Sequence, residues 1–311
     1  MEHPFSQPTP ARVVALRPTA VKLRDLFLRE VAVASTLRTY AFVLDSFQAF
    51  VGCDLSLARR DDVRAYRDHL RDLGRAPATI RKHIGTLKAL YAFGAAEQLL
   101  DVNIAQGIKA PASSRTSPRH GISTNEVRLL LQALDPASLV DQRDRLLILL
   151  LSVQAWRISE AIGLRAEDLG EEQGHRVAEV RGKGGTVLRV PLAAVTWDAA
   201  HRLAAALKIE HGPLLVHVAK GGTVRNADRP ISPQAGWKRV RLLARRAGLG
   251  RDIHPHLFRH GAITEALSAG VSLHKVQDFA RHADPRTTRT YDGHRQSLGN
   301  ETVHVLAGRL K

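Results

Sequence analysis

Between His254 and Tyr291 the chain collects side chains that can hold, polarise and attack an anionic centre. The stretch opens His254-Pro255-His256-Leu257-Phe258-Arg259-His260, passes through an amphipathic run to Arg281-His282-Ala283-Asp284-Pro285, and closes on Thr290-Tyr291-Asp292. Arginine offers a planar fork of donors that matches two phosphate oxygens. Histidine exchanges a proton near neutral pH, and a tyrosine hydroxyl becomes a nucleophile once its proton is taken. The target that suits this set is a phosphodiester. His256 and Arg259 are three residues apart and share a helix face, although a polar helix N-terminus would show the same pair. His256 and His260 have the i, i+4 spacing of a zinc-peptidase helix, but Leu-Phe-Arg lies between them without a general-base glutamate. A cation beside Arg259 would also be repelled, so no metal is expected.

His282 and Tyr291 are nine residues apart. On one continuous helix, nine steps of about 100° would set them on opposite faces. Asp284-Pro285 intervenes and reads as an N-cap followed by proline at the first helical position. A break there allows both side chains to reach one pocket, while a surface tyrosine remains the alternative. Two more candidates lie upstream. Arg157 follows an apolar run, with Glu160 one turn on to hold it, either as a structural ion pair or as an orienter of an arginine aimed at an anion. Lys183 sits in Gly182-Lys183-Gly184-Gly185. It is either a turn lysine or an ammonium able to protonate a leaving alkoxide.

The elements that must position these groups are mostly helical. Residues 1–19 read as a Pro-rich arm. Apolar stripes at three- and four-residue steps predict four short helices within residues 20–106: Leu23, Leu26, Phe27 and Val31; then Leu37, Tyr40, Leu44, Phe47 and Val51; then Val63, Tyr66 and Leu70; and, after Pro77, Ile80, Ile84, Leu87 and Tyr91. Arg38, Arg81, Lys82 and Lys88 lie at polar positions of this bundle, as candidates for a DNA-facing surface or as an ordinary solvated face. Residues 107–121, with Pro111, Pro118 and three serines, read as a linker. Within residues 122–311, Ser123-Thr124-Asn125-Glu126 matches a capping box. A strongly apolar helix is expected over about Asp141–Val153, and two strands, Arg176–Arg181 and Thr186–Val190, should form a hairpin around the glycines. The fold class is mainly α with a small antiparallel β-sheet, a four-helix N-terminal domain preceding an α+β domain.

Composition narrows the partners. Lys and Arg number 46 against 30 Asp and Glu, a net charge of +16 over 311 residues. An excess of that size points to a polyanion, because each neutralised phosphate releases counterions; nucleic acid fits, and no basic amphipathic anchor helix argues for lipid. One cysteine, Cys53, excludes an internal disulfide and any multi-cysteine zinc site, which suits a reducing cytoplasm. The longest apolar run, Leu146–Leu151, is far too short to cross a bilayer. Residues 1–20 hold no apolar leader core, so no secretory signal is expected.

Together the candidates resemble the tyrosine recombinase (phage integrase) family. Its pattern is an arginine in R-I-S-E, a hairpin lysine, H-x-x-R, a later histidine and a tyrosine about nine on; here these are Arg157, Lys183, His256 with Arg259, His282 and Tyr291, in the family's order. Asn103-Ile104-Ala105 stands where the family often has N-P-A. Two positions depart: Gln154-Ala155-Trp156-Arg157 replaces T-G-x-R, and Ala280-Arg281-His282 replaces L-G-H. Each loses a turn glycine, which leaves the local backbone open. The resemblance implies a core-binding domain and a catalytic domain closing as a clamp on double-stranded DNA. It implies attack by Tyr291 to give a 3′-phosphotyrosine, with Arg157 and Arg259 on the phosphate oxygens. His256 would assist the phenol's proton transfer, Lys183 would protonate the leaving 5′-oxygen, and His282 would hydrogen-bond the phosphate. No cofactor is implied. It also implies a tetramer on paired sites, with a C-terminal helix around Glu301–Leu310 passed to a neighbour or packed within its own chain. The expected activity is site-specific DNA recombination or integration. A DNA-relaxing topoisomerase of the same chemistry and a non-catalytic DNA-binding protein of the same fold stand as alternatives.

Overall fold

The computed structural model describes residues 22–112, 121–182, 186–219 and 221–281, and the chain divides into two compact units at Ser117 and Pro118. In the first, the four apolar stripes become α1 (Leu23–Arg29), α2 (Ala34–Val51), α3 (Arg60–Asp72) and α4 (Pro77–Ala96). Pro77 stands at the first position of α4, where its missing N–H costs no hydrogen bond. α2 ends on Gly52, whose φ of 68° is a left-handed conformation that glycine adopts without a Cβ clash. Phe27, Leu44, Phe47, Val63, Leu70, Ile80, Ile84, Leu87 and Leu90 fill the core, each such side chain stabilising the fold by about 1.5–3 kcal/mol on full burial. The polar groups inside are neutral ones: the Tyr66 hydroxyl bonds Ser46 Oγ at 2.8 Å and His83 Nδ1 at 2.9 Å, and Tyr91 donates to the Leu55 carbonyl at 2.9 Å. After α4 the chain runs back along the bundle. Arg60, Arg67 and Arg81 donate to the carbonyls of Ile104, Lys109 and Pro111.

The second unit is built around a helix whose C-terminal half is buried on every side. It begins with α5 (Thr124–Gln132), α6 (Leu139–Ser152) and the single turn α7 (Ile158–Ile162). The expected capping box opens α5: Ser123 Oγ accepts from the Glu126 amide, and the Glu126 carboxylate accepts from the Ser123 amide at 2.8 Å. Leu146 to Leu151 of α6 are each no more than 2 % exposed, as a helix apolar all round requires.

Beyond α7 come β1 (Leu169–Glu172), β2 (His175–Arg181), β3 (Val187–Pro191), α8 (Ala194–Leu207), β4 (Val216–Val218), β5 (Val224–Pro230), α9 (Pro233–Arg246), α10 (Pro255–Ser268) and α11 (Leu273–Ala280). The expected hairpin is present, β2 pairing antiparallel with β3 from Val177–Pro191 to Arg181–Val187. Two features go beyond the sequence reading. β1 extends the hairpin to three strands, and β4 and β5 form a separate antiparallel pair. α6 packs against α5, α7, α8, α9, α10 and β4.

One contact fixes where the chain enters this unit. The Ile122 amide donates to the Leu257 carbonyl of α10 at 3.0 Å. A Cβ at Gly261 would overlap the Ile122 carbonyl oxygen, and a Cβ at Gly121 would overlap the backbone of Gly261. Backbone meets backbone here, and only glycine leaves the room.

Candidate active site

The end of α6, the turn α7, the start of α10 and the end of α11 converge. The chain leaves α6 through Val153-Gln154-Ala155-Trp156, where Ala155 takes a left-handed φ of 50° and the Trp156 amide reaches back to the Leu150 carbonyl at 3.0 Å. α11 ends in the same way, with Arg281 left-handed at φ 51° and ψ 48°. These are the two positions where turn glycines are missing. The structure keeps the glycine-like backbone at both, with alanine and arginine in a region that disfavours a Cβ.

Arg259 connects the two turns. It sits in the second turn of α10, 5 % exposed. Its Nη1 donates to the Ala155 carbonyl at 2.6 Å and its Nη2 donates to the Ala280 carbonyl. Two carbonyls from opposite sides of the site thereby close on one guanidinium, whose five N–H groups point in a fixed fork. His256, one turn earlier, is exposed. The His254 ring stacks on Trp237 of α9 at 5.1 Å and 9°, and meets the His256 ring edge-on at 6.3 Å.

Arg157 is the N-cap of α7. Its backbone amide donates to Glu160 Oε2 at 2.9 Å and its Nη1 donates to Glu160 Oε1 at 2.7 Å. The side chain of Arg157 is 42 % exposed and that of Glu160 5 %. A second guanidinium shares the carboxylate: Arg281 Nη2 donates to Glu160 Oε2 at 2.7 Å, and its Cζ lies 5.8 Å from the centre of the Trp156 ring in cation–π range. Burial pushes the Glu160 carboxyl up, but the Arg157 amide and guanidinium and the Arg281 guanidinium outweigh it and hold it below the usual carboxylate range. Glu160 is therefore ionised at neutral pH.

Of the expected site residues, Arg157, Glu160, His256 and Arg259 are described, and they stand on the elements that converge here. Lys183, His282 and Tyr291 lie outside the described residues, as do the Asp284-Pro285 break, the arm over residues 1–19 and the segment around Glu301–Leu310. Arg38, Arg81 and Lys82 are exposed and Lys88 is half-buried; Arg81 bonds Pro111 as above. Among the described residues no group of three or more His, Cys, Asp or Glu side chains could hold a metal ion, and no helix is long and apolar enough to cross a membrane. Arg281 was not a candidate from the sequence. It appeared there only as an absent glycine, and its partner stands 121 residues away.

A sequence model of the phage integrase family matches residues 121–297, more than half of the chain, and a model of the phage integrase N-terminal SAM-like domain matches residues 23–98. The chain is 30 % identical to tyrosine recombinase XerD of Corynebacterium glutamicum over 279 residues, covering 83 % of this chain and 87 % of the relative. It is 28 % identical to tyrosine recombinase XerD of Shewanella oneidensis over 295 residues, covering 93 % and 92 %. Among solved structures, XerH site-specific recombinase bound to its difH substrate, in a pre-cleavage complex, aligns with a TM-score of 0.65 at 20 % identity, covering 90 % of this chain and 81 % of that one. A lambda integrase tetramer bound to a Holliday junction aligns with a TM-score of 0.67 at 14 % identity, covering 86 % and 74 %.

Proposed function

The chain belongs to the phage integrase family and is a site-specific tyrosine recombinase, and from that premise we propose how its side chains divide the reaction. Tyr291 attacks the scissile phosphorus of duplex DNA, forming a 3′-phosphotyrosine and releasing a 5′-hydroxyl. Arg157 and Arg259 hold the non-bridging oxygens, where negative charge builds in the transition state. His256 takes the phenol's proton, Lys183 protonates the departing 5′-oxygen, and His282 hydrogen-bonds the phosphate. Attack by a partner strand's 5′-hydroxyl reverses the bond and frees Tyr291. The phosphotyrosine conserves the energy of the broken phosphodiester, so the chemistry asks for no nucleotide.

The observation that carries this division is the Arg259 guanidinium, which joins the carbonyl of Ala155 to that of Ala280. Those carbonyls stand two residues before Arg157 and two before His282 in the chain. Catalysis by preformed charge needs such fixed placement, because donors that must reorganise during the reaction contribute less. The wider assignment follows. Residues 20–106 are the core DNA-binding domain, with Arg38, Arg81, Lys82 and Lys88 toward the backbone phosphates. Residues 107–121 are the linker and residues 122–311 the catalytic domain. The working form is a tetramer on paired sites, joined through the helix around Glu301–Leu310, in the cytoplasm with the DNA.

The test uses a random-sequence pool of duplexes, each carrying one nick, incubated with the full chain in EDTA. Denaturing capture recovers covalently attached strands, and sequencing them supplies a cleavable duplex. Wild type should form adducts, and Tyr291→Phe should bind that duplex as tightly yet form none. An adduct that survives Tyr291→Phe, or no adduct from wild type, overturns the assignment.

A further inference from the structure

We propose that Arg281 is a positioning residue for DNA cleavage, holding Glu160 and, through it, the Arg157 guanidinium that grips the phosphate. The proposal rests on the phosphate-clamp reading of Arg157.

Glu160 Oε1 accepts from Arg157 Nη1 and Oε2 accepts from the Arg157 amide and from Arg281 Nη2, all within 2.9 Å. The carboxylate is nearly closed to water, so a partner removed from it is not replaced by solvent. Without Arg281, Glu160 would keep only the contacts to Arg157 and would be free to turn with that longer, exposed arm.

A clamp that shares its guanidinium with one carboxylate is electrically neutral as a pair. Arg281 adds a second positive charge to the same carboxylate, leaving the cluster at +1 as the phosphate arrives. The two arginines are covered unequally to match: the Arg157 side chain is 42 % exposed and that of Arg281 is 11 %. One faces outward and the other is turned to the protein.

Glycine takes φ 51° readily and arginine does not. Arg281 holds that conformation while its guanidinium reaches Glu160 and lies over Trp156, and the carbonyl before it accepts from Arg259. Trp156 stands beside one of the missing glycines and Arg281 in place of the other, and their side chains meet. The Arg281 contacts thus tie the end of α11 to the N-cap of α7, one residue before His282 in the chain.

The test measures single-turnover cleavage of the duplex recovered above, with the scissile phosphate either native or as a methylphosphonate. The methyl group replaces one charged non-bridging oxygen, so a guanidinium clamp matters less. Arg157→Ala should lose roughly a hundredfold or more on the native phosphate, as for removal of one transition-state donor, and less on the methylphosphonate. Arg281→Gly suits the left-handed turn and should bind DNA as wild type does. It should cleave the native phosphate at least about tenfold more slowly, and its deficit should also shrink on the methylphosphonate. Arg281→Gln carries the same comparison if the glycine variant does not fold. A native cleavage rate equal to wild type, or a deficit of equal size on both substrates while that of Arg157→Ala shrinks, overturns the role of Arg281. A deficit in Arg157→Ala that does not shrink overturns the clamp reading itself.

Discussion

Asp144 and Glu160 each hold two guanidiniums, one near in sequence and one from far along the chain. Asp144 Oδ1 accepts from Arg143 Nη2 at 2.7 Å and Oδ2 accepts from Arg239 Nε at 2.9 Å; Glu160 has Arg157 and Arg281 in the corresponding places. At Asp144 the carboxylate is fully covered, the Arg143 side chain is 4 % exposed, and its Nη1 is committed to the Val216 carbonyl at 3.1 Å. That cluster binds α6 to β4 and α9. At Glu160 one of the two arms is open to solvent. Two clusters of the same residue types are thus covered differently, the outer arginine being 42 % exposed at Glu160 and 26 % at Asp144, and under the proposed division only the first of these is asked to meet a phosphate.

The largest effect that sharpens this contrast is expected at Asp144. Asp144→Ala leaves two guanidiniums without their carboxylate, one of them buried, and should destabilise the chain by about 3–5 kcal/mol, read from denaturant unfolding. Its cleavage rate per folded molecule should stay near wild type. A large loss of rate in the folded fraction would erase the distinction between the clusters.

Glu160→Gln comes next. It keeps the shape and removes the charge, so the Arg157 arm loses its anchor. Cleavage should slow roughly tenfold, the equivalent of about 1.4 kcal/mol in the barrier, with DNA affinity preserved. Full activity would make Glu160 a second fastener like Asp144.

Acid should produce the smallest and most graded difference, and it separates the second unit from the N-terminal one. Burial, with help from Lys82 and Arg75, holds the His83 imidazole below its ordinary 6.5. A folded value below the unfolded one gives stability that is present above 6.5 and lost as pH falls through the lowered value. In the second unit the Arg251 guanidinium, aided by the Ser123 amide and hydroxyl, holds the Glu126 carboxyl at about 2 against an ordinary 4.5, and Glu160 is lowered from the same 4.5. Those contributions are present above 4.5 and lost as pH falls toward the folded values. Amide hydrogen exchange on the full chain should show α2–α4 losing protection below about pH 6.5, and α5 and α7 only below about pH 4.5. Simultaneous loss in both units, or loss in reverse order, would contradict it.

Much of this was legible in the residues. The four N-terminal helices follow from stripes such as Ile80, Ile84, Leu87 and Tyr91, because a 3.6-residue period leaves few other structures. Glu160 was legible because its partner is one helical turn away, and the Ser123–Glu126 cap because it is a local exchange of hydrogen bonds. What escaped was long-range or patternless. Arg281 meets Glu160 through tertiary contact alone. β5 reads Val-Arg-Asn-Ala-Asp-Arg-Pro, almost wholly exposed, without the alternation that marks a half-buried strand. Asp144 drew no reading from sequence, since it lies in a charged run with Asp141, Arg143 and Arg145. The run Leu146–Leu151 is apolar on every face, so it marks no stripe that sets Asp144 apart from the exposed Arg145.

The glycine pair at residues 121 and 261 has a consequence for anyone who would recombine this protein with its relatives. The carbonyl of Ile122 occupies the space where a side chain on residue 261 would begin, so the entering segment and α10 form a lock with no tolerance for a methyl group. A chimera that exchanges the N-terminal unit should be spliced ahead of residue 121, with Gly121, Ile122 and Gly261 inherited from one parent. A splice inside that contact would pair a tail from one lineage with a socket from another, and the helix carrying Arg259 would be displaced with it.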